Sequence, residues 1–197
     1  MNERSTKGSI FPLVGFAWFV LAVIAGASGV LASMAPPRPQ FLLLGLTVGL
    51  IAAGVLVPSF RAWLAQVHLR TVIAVHVTRF IGIYFLMLYA RGLLPFQFAV
   101  VGGWGDIAIA ATALLWLVVA TEPEAHATLL WVWNLSGLID IALVVITAAR
   151  LGMADPASMA PLRTLPLSLL PTFLVPLIIG SHVLIFWRLR RASSGRP

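Results

Sequence analysis

Gly102-Gly103-Trp104-Gly105-Asp106 lies inside an apolar run from about Phe96 to Ala120. The aspartate decides how that run is read. A carboxylate at the centre of a bilayer costs roughly 2.5–3.5 kcal/mol on insertion scales, so it demands a partner or a wet cavity. The three glycines on its N-terminal side let another helix, or a ligand, approach the backbone closely. Every other segment is therefore read for what it brings to Asp106.

The 197 residues are 60% hydrophobic and 10% charged, with a mean hydropathy of +1.02. An average soluble domain carries roughly 25% charged residues. The deficit runs the whole length, and no polar stretch is long enough for a soluble domain. The class is all-α: a polytopic membrane protein, with one transmembrane domain over residues 1–197. The formal charge of +7 would suggest nucleic acid in a soluble chain. Here the basic residues sit mostly at the ends of apolar runs, so they read as topology signals and headgroup contacts, with the lipid bilayer as partner and no nucleic acid. The absence of cysteine excludes disulfides, thiol chemistry and thiolate metal sites.

Hydropathy and turn residues predict six spans, at about residues 10–33, 41–57, 71–90, 96–120, 127–149 and 165–189. Ser33-Met34-Ala35 loosely resembles a signal-peptide cleavage site, but the apolar part before it is too long for an h-region. Gly45 and Gly49 form a G-x-x-x-G spacing, which permits close packing within the bundle or in a homodimer. Six spans put both termini on one side. That side collects Arg4, Lys7, Arg61, Arg70, Arg188, Arg190, Arg191 and Arg196, against Arg38, Arg91, Arg150 and Arg163 opposite. Eight against four places both termini in the cytoplasm, in a bacterial inner membrane.

Polar residues inside the spans fall in one slab. His76 and Arg79 are three apart and share a face. They lie roughly 8 and 12 Å from the cytoplasmic edge, Asn134 and His182 about 10 Å, Asp140 about 20 Å, and Asp106 near the midplane. Asp140 follows Asn134 by six residues and is expected on a different face, toward another copy or a vestibule. The first two spans bring nothing ionisable and read as an outer wall. An Arg79–Asp106 ion pair would offset most of the burial penalty. A leftover carboxylate or imidazole is then free to exchange a proton. Pro171 and Pro176 should each free a carbonyl and bend the last span, making it a hinge.

Four functions fit. The first is binding or transport of a small solute or ion, with proton coupling, at Arg79, Asp106, Asn134, Asp140, His182 and His76, and without a cofactor or metal. The second is a non-catalytic assembly or sensory subunit whose polar layer only fixes helix order. The third is a b-type cytochrome with haem on His76 and His182. The fourth is an intramembrane enzyme, disfavoured because no nucleophile stands beside a base and no H-E-x-x-H, G-x-S-x-G or P-loop occurs. The tryptophans read as belt or packing residues.

A wider pattern comprises Arg79, Leu94-Pro95 with Phe98-Ala99, Gly105-Asp106, Trp133-Asn134 with Gly137, and Leu170-Pro171-Thr172-Phe173-Leu174-Val175-Pro176 ahead of His182. It resembles an uncharacterised family of small bacterial multi-pass integral membrane proteins, over about Arg79 to Leu189. The resemblance implies that Arg79, Asp106, Asn134, Pro171, Pro176 and His182 belong to a shared pattern, and it transfers no activity.

Overall fold

A computed structural model describes residues 10–194. Arg4, Lys7 and Arg196, which enter the charge count above, lie outside the described residues. The described chain is all-helical. Its helices are α1 (Phe11–Ala27), α2 (Arg38–Leu56), α3 (Pro58–Gln66), α4 (Leu69–Ala90), α5 (Phe96–Val119), α6 (Pro123–Ala154) and α7 (Leu170–Arg191). Five of them (α2 and α4 to α7) are long and apolar enough to cross a membrane. Leu56, Val118 and Val119 leave 74%, 76% and 70% of their surface open. So apolar a surface over whole helices fits lipid and not water.

α1, with 17 residues, and α3, with 9, are shorter. For α1 the sequence predicts helix through residue 33. The chain turns earlier because the Ser28 hydroxyl bonds the Ala25 carbonyl at 3.0 Å and Gly29 takes φ of +75°, a helix-ending conformation open to glycine. α3 forms in the stretch expected to be a polar connection. Its Phe60 and Trp63 pack on Phe11 with ring centroids 4.9 and 5.5 Å away. α6 runs past residue 149 to Ala154, and stops at Asp155 because the following Pro156 disfavours helical backbone there. α7 starts at Leu170, five residues later than predicted, after a run of turns.

Two departures from α geometry shape the middle of the bundle. Val75–Phe80 of α4 is wound as a 3-10 helix, where residues three apart eclipse one another. His76 and Arg79 thus project along one line. Leu170–Leu174 of α7 is a π turn that contains Pro171. Pro176 has no N–H for the Thr172 carbonyl, and the Trp18 indole N–H of α1 donates to that oxygen instead, at 2.9 Å. The freed carbonyl expected from the proline is there, and a tryptophan read as a packing residue satisfies it.

Glycines set the helix spacing around Asp106. Gly82 of α4 and Gly103 of α5 meet backbone to backbone; a Cβ on Gly103 would lie 3.0 Å from the Gly82 carbonyl oxygen. Gly102 faces Val144 of α6, and Gly105 faces the Asp140 carboxylate. Gly45 and Gly49 of α2 face open space and do not serve packing within the chain.

His76, Arg79, Asp106, Asn134, Ser181 and His182 each lie, along their helix, between two apolar clusters. One holds Phe85, Phe98, Ile141 and Ile178. The other holds Ile73, Ala113, Leu130 and Ile185.

Candidate functional site

Arg79 is fully buried, and three of its nitrogens are engaged. Nε donates to Asp106 Oδ1 at 2.7 Å, Nη1 donates to the Gly137 carbonyl at 3.0 Å, and Nη2 donates to Asp140 Oδ2. Asp106 is buried, whereas the Asp140 side chain keeps 24% of its surface open. Asp140 was expected on a different face from the other site residues. It joins them because Gly137 has no side chain. The guanidinium lies along α6, bonds the Gly137 carbonyl, and reaches Asp140 one turn on, at about 100° per residue. This is how a fully buried arginine is tolerated: it carries charge-assisted bonds from both sides.

The histidines form the other half of the layer. The His76 and His182 rings lie 4.3 Å apart between centroids, tilted by 48°, and neither is exposed. Trp133 meets His76 edge-on at 5.2 Å. Asn134 Nδ2 donates to the His182 carbonyl at 3.0 Å, which aims Oδ1 at His182 Nδ1, 2.8 Å away. An amide oxygen only accepts, so Nδ1 carries the proton and Nε2 is an imine nitrogen. The Ser181 hydroxyl donates to the Ile178 carbonyl at 2.7 Å and therefore accepts from His76 Nε2, at 3.1 Å. His76 Nδ1 and His182 Nε2 are both buried with no partner among the described residues. Gly137 links the two halves, since a Cβ there would meet His182 Cε1 at 2.7 Å.

All six predicted site residues therefore meet. Sequence reasoning gave no role to Gly82 or to the Gly137 carbonyl. A small residue three positions from each named one (Gly82 after Arg79, Gly137 after Asn134) was the available signal. The two rings touch, so no macrocycle fits between His76 and His182 in this arrangement. Among the described residues no cluster of three or more histidines and carboxylates could hold a metal ion.

The layer meets a cavity of about 240 Å³ through Arg79 and Asp106; His76, Asn134, Asp140 and His182 do not line it. Arg79 and Asp106 line its inner end. Leu43, Phe85, Ile141 and Ile178 line its walls, and Gln40 and Arg163 lie toward the loops that join α1 to α2 and α6 to α7. Arg163 ties those loops together, donating to the carbonyls of Met34 at 3.1 Å and Pro156 at 3.0 Å. α2, read as outer wall, is thus a wall of the cavity; its apolar lining gave no charge to mark it.

A family model described as Domain of unknown function (DUF8737) matches residues 36–190. The chain belongs to this family. The DUF8737 match includes α2 as well as α4 to α7, so it spans every helix that lines the cavity. No curated protein and no solved structure matches the chain.

Proposed function

We propose that this DUF8737 protein binds a small solute in the cavity and carries it across the bilayer, with a proton as the coupling ion. The observation that carries the reading is the convergence of four helices on one buried ionic layer at the end of an apolar cavity. A concave apolar space with a few convergent polar groups is the usual form of a small-molecule site. The unpartnered imine nitrogens of His76 and His182 lie off the cavity lining, and in this reading they hold protons beside it rather than touch the solute. Pro171 within the π turn and Pro176 just after it make α7 the moving element.

In this reading α1 is a sixth span, and the arginine bias places both termini in the cytoplasm of a bacterial inner membrane. The open glycine face at Gly45 and Gly49 is the surface for a homodimer. The test is extraction of co-purified small molecules, identified by mass spectrometry. Wild type should carry a molecule that a cavity-filling Val145→Trp variant of unchanged fold does not. Identical extracts would overturn the reading.

A further inference from the structure

The cavity and the ionic layer share Asp106 and Arg79, whereas Asp140 does not line the cavity. Arg79 thus stands between a carboxylate on the cavity side and one beyond it. It supplies one positive charge, and the two aspartates supply two negative ones. The hydrogen bonds of His76 and His182 are all met by neutral rings, and Asn134, Ser181 and Trp133 bring no charge. The layer is one positive charge short.

Other cations do not supply it. Arg70 gives its guanidinium to the Leu117 and Ala120 carbonyls, and Arg188 donates to the Leu64 carbonyl at 2.5 Å. Arg163 also lines the cavity, but toward the loops, where its guanidinium is given to the Met34 and Pro156 carbonyls. Asp106 is the buried carboxylate of the two and the one on the cavity side, and a buried carboxylate short of positive charge is costly, so the inner end of the cavity selects for a positive group. Leu43, Phe85, Phe98, Ile141, Val144 and Ile178 select for an apolar body.

We propose that the cavity takes hydrophobic monocations, an amine or quaternary ammonium on an apolar body, in exchange for one proton. This rests on the reading of the cavity as a ligand site. The bound cation completes an alternating row with Asp106, Arg79 and Asp140. Without it, a proton on the same residues supplies the missing charge. One positive charge enters as one leaves, so the layer stays neutral. An anion would instead add a third negative charge.

Three probes with one tail test this: decyltrimethylammonium, decanol and decanoate, added to the full chain in nanodiscs of zwitterionic lipid. Tryptophan fluorescence reads binding, and an indicator dye in weak buffer reads protons. The cation should bind at least about tenfold tighter than the alcohol, a difference of about 1.4 kcal/mol, with decanoate weakest. One proton should appear per cation bound. Asp106→Asn should abolish both the preference and the proton release. The wild-type ranking decides the matter even if that variant fails to fold. Decanoate binding as tightly as the cation, or cation binding without proton release, overturns the proposal while leaving the cavity a ligand site. If all three probes bind wild type and Val145→Trp alike, the cavity is no ligand site and both readings fall.

Discussion

Gly82 and Gly103 hold α4 and α5 backbone to backbone, and a Cβ on either would press on the other's carbonyl oxygen. That contact sets the reach from Arg79 to Asp106. Gly82→Ala should force the helices apart and destabilise the fold by about 1–3 kcal/mol, the usual range for overpacking. Gly15→Ala, whose Cβ would meet nothing within 4 Å, should change stability by less than about 0.5 kcal/mol. Unfolding in detergent micelles compares the two, and equal effects would show that the glycine contact does not set the spacing.

Arg79 is held by charge from two helices. Arg79→Met removes the cation that Asp106 and Asp140 share and should cost about 3–5 kcal/mol. In an Asp106→Leu background the same change should cost less, because one stranded charge is already gone. A double-mutant cycle on thermal unfolding measures the difference; strictly additive effects would show that the two side chains act independently.

Trp18 covers the carbonyl that Pro176 leaves open on Thr172. Trp18→Phe keeps the ring and removes the donor, at about 1–3 kcal/mol. Pro176→Ala returns a backbone N–H to the helix. Trp18→Phe should therefore cost less in the Pro176→Ala background than in wild type. The same cost in both would mean that the indole matters for packing alone.

The hydrogen bonds assign opposite tautomers to the two buried imidazoles: a proton on Nε2 of His76 and on Nδ1 of His182. Nitrogen-15 chemical shifts of labelled histidine should show one ring of each kind. Asn134→Leu should remove the Nδ1–H preference of His182 and leave His76 as it is. Two rings of the same tautomer would refute the assignment.

Much of this arrangement is legible without coordinates. Asp106 could not sit alone in an apolar run, and Arg79 was the one arginine deep in a span. Their pairing follows from charge and depth. Asp140 shows where that reasoning ends. Helical phase placed it away from Asn134, but the guanidinium spans that arc by lying over Gly137, and no periodicity records the length of a neighbouring side chain. α2 shows another limit: a cavity wall made of leucines reads like a lipid-facing surface. The end of α1 turned on the backbone of Gly29, one glycine among sixteen in the chain.

The 3-10 winding of Val75–Phe80 sets the angle between Arg79 and His76. Three residues subtend about 360° in a 3-10 helix but about 300° in an α-helix. Relaxing that one turn would swing the guanidinium by about 60° relative to the imidazole below it. A twist this small would uncouple the carboxylates from the histidines without any helix leaving its place.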